Sequence, residues 1–287
     1  MLKKLMFLMK VGYKILKKDV INNEDYRKEY NNVAKTYNLW LKEMGRFTDE
    51  IINVDYINEN KKLKILDFAC GTGYITKELL QKNIDCEITS VDFSEKMLDE
   101  LKRKVGNKAN IIHSDGLEFL KNTKEKYDVI YFGWALSYFN YREIFKLFKE
   151  VLKENGIVCI ITNTKGTLNK IEDIFLSVMS ENQSEVNKPM DIKFNLPKGK
   201  NGLIKWINEF GFEEMEVKEG EVVFYFETPD EVLKWINKTG AAAGTVQIFK
   251  DYNKIKYKLI DKIKKEKYNN GKYEINHRFA YGIFKVK

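Results

Sequence analysis

From residue 61 onward the chain alternates between short apolar runs and segments in which apolar residues recur every three or four positions. The first pattern fits buried strands and the second amphipathic helices. Strands are predicted at 63–68, 87–91, 110–113, 127–132 and 156–162. Helices are expected at 74–82, 94–104, around 117–121 and at 141–153. Strands separated by helices of this length imply an α/β fold with a doubly wound, mostly parallel sheet and right-handed crossovers. Ligands in such sheets lie beyond the carboxyl ends of the strands, where the strand order reverses. The residues that close each strand therefore carry most of the interest.

Beyond residue 163 the pattern loosens. A helix is expected over Leu168 to Met179, then a polar connector with Pro189 and Pro197, then a helix at 201–210. Strand Glu214 to Lys218 is expected to turn at Glu219-Gly220 into a second run, Val222 to Phe226. Thr228-Pro229-Asp230-Glu231 has a cap, a first-turn proline and a capping-box glutamate in register, so a helix starts there. A basic helix over 246–266 and a last strand from Phe279 to Val286 complete the pattern. Residues 24–44 form a helical region carrying Tyr26, Tyr30, Tyr37 and Trp40. Nearer the start, Leu2, Met6, Met9, Tyr13, Leu16 and Val20 fall on one helical face, with Lys3, Lys10, Lys14 and Lys17 on the other side. Such a helix either covers the mouth of the site, the favoured reading, or lies on a membrane surface.

The expected organisation is thus N-terminal covering helices over 1–60, an α/β core over 61–163, and a cap helix with its connector over 164–200. A return to the core over 201–221, a lid insertion over 222–270 and a final core strand over 271–287 follow.

Composition narrows the function classes only a little. Lys+Arg 50 against Asp+Glu 42 gives a net charge of +8, spread throughout a lysine-rich chain. That permits nucleic acid or an acidic substrate and demands neither. Three cysteines, at 70, 86 and 159, lack metal or disulfide spacing, which fits a reduced cytoplasmic setting. With only two histidines, no metal site is expected. No apolar run approaches the 18 or so residues of a membrane span, and the apolar stretch Leu5 to Met9 is too short for a secretory signal.

The chemistry concentrates in 63–73, Leu-Lys-Ile-Leu-Asp-Phe-Ala-Cys-Gly-Thr-Gly. A strand ends in a glycine turn and a helix follows, the way α/β proteins offer backbone N–H groups to a polar ligand. The dinucleotide fingerprint wants a third small residue where Thr76 stands, but Asp67 closes the first strand and Asp92 the second. This combination resembles the first motif of class I S-adenosylmethionine-dependent methyltransferases, an acidic residue followed by x-G/A-C-G-x-G. Ala69 stands where the commoner first glycine would be and is expected to keep a negative φ. The resemblance implies a Rossmann-like sheet of seven strands with a helical cap or lid, S-adenosylmethionine as the methyl donor and S-adenosylhomocysteine as its product, with no metal.

Residue by residue, it places Asp67, Ala69, Gly71 and Gly73 in the cofactor loop and Asp92 on the ribose hydroxyls, with Phe93 beside it and Met97 against the adenine. Asp115-Gly116 would meet the adenine amino group. Two of these residues have plainer alternatives as helix caps, Asp92 beside Ser94 and Asp115 before residue 117. The phrase Tyr30 to Tyr37, Y-x-x-x-A-x-x-Y, is similar to the pre-core helix of small-molecule members, where the residue matching Tyr37 leans over the cofactor. After strand four, Gly133-Trp134-Ala135-Leu136-Ser137-Tyr138 matches the loop beneath the transferred methyl group. Trp134, Ser137 and Tyr138 would line the acceptor site.

No Asn/Asp-Pro-Pro-Tyr motif is present there, against amide or adenine nitrogen as acceptor. No His, Glu or Lys offers an obvious base, which leans toward an acceptor that is already anionic. The aromatic strand followed by T-P-D-E-V-L-x-W-I and T-G-A resembles the inserted lid of malonyl-carrier-protein and trans-aconitate carboxyl O-methyltransferases. Carboxyl O-methylation of a small or acyl-carrier-linked molecule is therefore the expected activity. The rivals are methylation of RNA, on the basic stretch Lys254 to Lys267, and a non-catalytic adenosylmethionine-binding subunit. Oligomeric state has no signature in the sequence.

Overall fold

The computed structural model describes Phe7, Met9, residues 11–14, 16–17, 19–52, 62–82, 84–189, 196–266 and 268–287. Contacts divide the chain into two compact units. One comprises residues 34–167, 195–221 and 278–287; the other comprises 1–33, 168–194 and 222–277.

The larger unit holds the α/β core. Helix α1 (Asn23–Val33) belongs to the other unit, and α2 (Asn38–Ile52) leads into the core. Then β1 (Leu63–Phe68), α3 (Tyr74–Gln81), β2 (Cys86–Asp92), α4 (Glu95–Val105), β3 (Asn110–His113) and α5 (Gly116–Asn122) alternate as the pattern predicts. They are followed by β4 (Tyr127–Gly133), α6 (Tyr141–Val151) and β5 (Leu152–Asn163). With β6 (Phe212–Phe226) and β8 (Lys272–Val286), the sheet order is β3-β2-β1-β4-β5-β8-β6. The β3-β2, β2-β1, β1-β4 and β4-β5 pairs are parallel and β5-β8 is antiparallel. The chain moves outward from β1 through β2 and β3, then crosses to β4 on the other side. The crevice of such a sheet therefore opens above β1 and β4.

The seven-strand path is the expected one. An eighth strand, the two-residue β7 (Tyr268–Asn269), pairs with the start of β8 (Lys272–Val286). Two strands are longer than expected. β6 (Phe212–Phe226) runs unbroken through Glu219-Gly220, and β8 begins seven residues before Phe279. At Gly220 a Cβ would lie 2.8 Å from the Phe279 ring, so the glycine admits the packing of that ring rather than making a turn. The expected helix over 24–44 is also broken, by a turn at 34–37 between α1 and α2.

The core of this unit is aromatic. Phe68 of β1, Phe132 of β4 and Phe148 of α6 are fully buried. Their rings meet edge to face with centroids 5.2–5.5 Å apart, the arrangement the ring quadrupoles favour. This cluster fixes the sheet under the ends of β1 and β4.

The second unit has its own core, built from α7 (Ile171–Glu181), α9 (Pro229–Thr239) and α10 (Tyr252–Glu266), with α8 (Gly199–Asn208) lying in the first unit. Val178, Leu233, Leu259 and Ile275 are fully buried within it. The start of α9 carries the predicted capping box, Thr228 accepting from the Glu231 backbone N–H at 3.2 Å and the Glu231 carboxylate accepting from Thr228 at 3.3 Å. The division between the units falls inside β6 and β8. Of the N-terminal face, Leu2 and Met6 lie outside the described residues; the described part of that segment is helical up to Leu16. Among the described residues no helix is long and apolar enough to cross a membrane.

Candidate active site

Asp67 is in β1 with 1% of its surface exposed. Its Oδ2 accepts the backbone N–H of Thr76 at 3.1 Å and the Thr76 hydroxyl at 2.6 Å. That hydroxyl also lies 2.7 Å from Ser90 Oγ on β2. Thr76, which departs from the dinucleotide pattern, thereby ties β1, β2 and the first turn of α3 together. The other carboxylate oxygen, Oδ1, is buried without a protein partner. Burial pushes the Asp67 carboxyl up to about 7, against the Thr76 hydrogen bonds, which favour the charged form.

The loop after β1 is held from several sides. Asp92 Oδ2 accepts the Gly71 N–H at 2.8 Å while its Oδ1 accepts the Ser94 N–H at 2.8 Å. Asp92 therefore does help start α4, alongside Ser94, whose Oγ accepts from Met97. Burial raises its carboxyl, opposed by those N–H bonds. Lys104 of α4 donates to the Thr72 carbonyl at 2.8 Å, and the Thr72 hydroxyl donates to Asn38 Oδ1 at 2.8 Å. At Gly73, where φ is +74°, a Cβ would sit 2.1 Å from Leu101, so both conformation and packing demand glycine. Gly71, with φ +53°, has open space where a Cβ would be.

Ala69 does not keep a negative φ. It sits at +55°, in the left-handed region, and this corrects the expectation from sequence. Trp134, just past β4, is also left-handed at +62°. Each such residue costs roughly 1–2 kcal/mol, strain that the surrounding contacts hold in place. For Trp134 those contacts are visible. Its indole N–H donates to Thr48 Oγ1 at 3.0 Å, and its ring meets Trp40 edge-on at 4.8 Å and Phe279 at 5.4 Å.

These groups converge on one cavity. Six residues singled out from sequence line it: Tyr37, Asp67, Ala69, Gly71, Gly133 and Trp134. Six more complete the lining: Leu41, Thr48, Cys70, Thr72, Tyr74 and Ile75. Burial raises the Tyr37 phenol, with Tyr138 and Asp92 nearby adding to it, so it stays neutral and can donate a hydrogen bond. Burial likewise keeps the Cys70 thiol protonated and unreactive.

The remaining residues fall outside the lining. Met97 is buried in α4 and Phe93 is half-buried, its carbonyl 3.0 Å from His113 Nε2. Asp115 caps α5, its Oδ1 accepting from Leu117 at 2.9 Å and Glu118 at 3.2 Å. Gly116 is required by the Phe68 ring, 2.5 Å from where a Cβ would be. Ser137 and Tyr138 occupy a short 3-10 turn after Trp134.

Thr48 and Leu41 were missed by sequence reasoning because α2 carries no motif. The signal was indirect: a tryptophan in an acceptor loop, if buried, needs a partner for its N–H.

Comparisons with known proteins agree with this architecture. A family described as "Methyltransferase domain" matches residues 65–156. A malonyl-acyl-carrier-protein O-methyltransferase of Priestia megaterium is 31% identical over 160 residues, covering 54% of this chain and 57% of that protein. The match thus spans little more than half of that relative's length. A demethylmenaquinone methyltransferase of Staphylococcus aureus is 27% identical over 216 residues, covering 69% and 88% of the two chains. The solved structure of BH2331 from Bacillus halodurans C-125 superposes with a TM-score of 0.56 at 17% identity, covering 83% and 97%, a likeness of fold. Residues 65–156 thus match a methyltransferase domain, and over that core the chain is similar to class I S-adenosylmethionine-dependent methyltransferases.

The residues present fit that cofactor. Asp67, with one buried carboxylate oxygen unpartnered, lines the cavity together with Ala69, Cys70, Gly71 and Thr72 of the glycine loop, a set suited to an ammonium group and a polar chain lying against the loop.

Two outcomes follow. Ala69→Gly relieves roughly 1–2 kcal/mol of backbone strain and gives back about 0.5–1 kcal/mol in unfolded-chain entropy. Urea denaturation should show a net gain of about 0.5–1 kcal/mol; a loss would mean that the Ala69 methyl is itself packed. For Asp67, the folded pKa of about 7 lies above the ordinary 3.8. Its contribution to stability is therefore fully present below about pH 4 and is lost as pH rises through 7. Asp67→Asn, which keeps an acceptor for Thr76, should gain on the ligand-free wild type between pH 5 and pH 8, by at most on the order of 4 kcal/mol. A constant difference between the two proteins across that range would contradict the assignment.

Proposed function

We propose that the protein transfers a methyl group to a carboxylate oxygen of a small or acyl-carrier-linked acceptor. When bound, S-adenosylmethionine supplies a methyl group on a sulfonium, whose positive charge disappears as the methyl leaves. The residues of this chain would bind and orient. Asp67 Oδ1 would take the ammonium of the methionine part, and the Gly71–Gly73 loop would lie along it. Asp92 has oxygen lone pairs beyond its backbone N–H bonds for the ribose hydroxyls. Tyr37 would cover the cofactor as a neutral phenol, and Trp134 would wall the acceptor side, with Ser137 and Tyr138 beyond it. The roles of Phe93, Met97, Asp115, Gly116 and Gly133 toward the adenine and the acceptor belong to the same proposal.

The observation that carries the acceptor chemistry is the make-up of the cavity. Its described lining has no His, Glu or Lys; the Cys70 thiol and the Tyr37 and Tyr74 phenols are pushed up by burial, and the one carboxylate, Asp67, is committed to Thr76 and the cofactor's ammonium in this reading. An acceptor that must lose a proton would need a base; a carboxylate does not. Holding the two reactants in line then supplies much of the rate, on the order of 7–11 kcal/mol in favourable cases. The malonyl-carrier-protein relatives methylate a carboxylate of this kind by name, which supports the reading.

The RNA alternative draws little support from α10. Lys256 pairs with Asp230 at 3.4 Å and Lys262 with Glu181 at 2.7 Å, and Lys258 donates to Asn182. Much of that basic face is engaged within its own unit.

The test uses methyl-labelled S-adenosylmethionine with a malonyl-thioester carrier protein, a demethylated quinone and bulk RNA offered separately. Base-labile label on the carrier is expected, with Trp134→Ala lowering kcat/KM by about 10²-fold through lost positioning. Label on the quinone or the RNA, with none on the carrier, would overturn the carboxylate reading.

A further inference from the structure

Phe7, Met9, residues 11–14 and Leu16 are helical. The segment is apolar on two opposite sides. Phe7, 4% exposed, belongs to the core of the second unit and Val11 packs against it. On the other side Met9 is 65%, Tyr13 61% and Leu16 84% exposed. At 100° per residue these three fall within a stripe about 60° wide. A helix that already buries one face in its own core gains nothing from a second apolar stripe in water.

The charge around the stripe is one-sided. The first 20 residues carry six lysines, at 3, 4, 10, 14, 17 and 18, and a single acidic residue, Asp19. Asp19 is paired with Lys14 at 2.7 Å, and Lys14 also donates to the Asn187 carbonyl at 2.9 Å. The Lys17 ammonium lies 5.7 Å from the centre of the Tyr13 ring, a pairing of cation and amphipathic aromatic suited to a headgroup region.

We infer that this segment is a peripheral membrane anchor, laying Met9, Tyr13 and Leu16 into the interface of a bilayer that contains anionic lipid. Apolar insertion and lysine attraction are the two signals such binding needs, and neither suffices alone. A second copy of the chain fits less well. The stripe exposes on the order of 400 Å², about half of what each partner buries in a stable dimer. A two-fold contact would also set the same lysine-rich segments against each other.

Co-sedimentation of the full-length protein with vesicles tests this. Vesicles of phosphatidylcholine containing a quarter phosphatidylglycerol should retain the protein, and pure phosphatidylcholine vesicles should retain little. Retention should weaken at high salt. The double variant Met9→Asp, Leu16→Asp should lower the partition at least tenfold with an unchanged thermal midpoint, because both side chains are exposed. A Tyr13→Trp variant should shift its emission to the blue when anionic vesicles are added. Failure to bind anionic vesicles would overturn the inference. So would equal binding by the double variant, which would assign the attraction to lysines elsewhere. A dimer in sedimentation analysis that the double variant dissolves would show that the stripe serves a second copy instead.

Discussion

A carboxylate without a cation, Asp67, is the constraint from which the site follows. One of its oxygens is fully used in joining β1 to the first turn of α3 and, through the Thr76 hydroxyl, to Ser90 of β2. The other is buried without a protein partner, in a residue that lines the cavity. Removing a carboxyl group from water with half its hydrogen-bonding capacity unused is unfavourable, and the raised pKa is the measure of it. The arrangement persists because the parallel sheet and the helix that follows over-determine the position, and a cationic ligand would relieve it.

The glycine loop owes its shape to the same region. Asp92 holds it at Gly71, Lys104 at Thr72, and Leu101 packs where a Gly73 side chain would be. Left-handed Ala69 and Trp134 directly follow the two strands, β1 and β4, between which the strand order reverses. Strain therefore gathers at the crevice and not in the aromatic core beneath it. The acceptor side depends on a different support, the Trp134–Thr48 hydrogen bond and the edge-to-face contact with Trp40. A fold of this kind hosts many chemistries, so the acceptor chemistry rests on that wall and on a described lining with no His, Glu or Lys, whose one carboxylate, Asp67, is committed to Thr76 and to the cofactor in the proposed reading.

Much of this was legible in the sequence because it is local. The spacing from Asp67 to Gly73, the strand-ending Asp92, the capping box at Thr228 and the alternation of β and α elements each depend on residues a few positions apart. What was not legible depends on pairing at long range. β8 extends back to Lys272 because it forms an antiparallel hairpin with β7 and pairs with β5 further along. β6 passes through Gly220 because the Phe279 ring fills the space. The negative φ expected at Ala69 failed for a related reason: its conformation is set by the loop's attachment to other elements, which no pattern of side chains displays. Thr48 enters the cavity from α2, which precedes the motif and resembles nothing.

The most direct test of the central claim is calorimetric titration of S-adenosylhomocysteine into the wild type and into Asp67→Asn at pH 7.5. One site per chain is expected in the wild type, with at least tenfold weaker binding in a variant that is as stable or more stable without ligand. Equal affinity in the two proteins would show that Asp67 serves only to join strand and helix, and that the cofactor is held elsewhere.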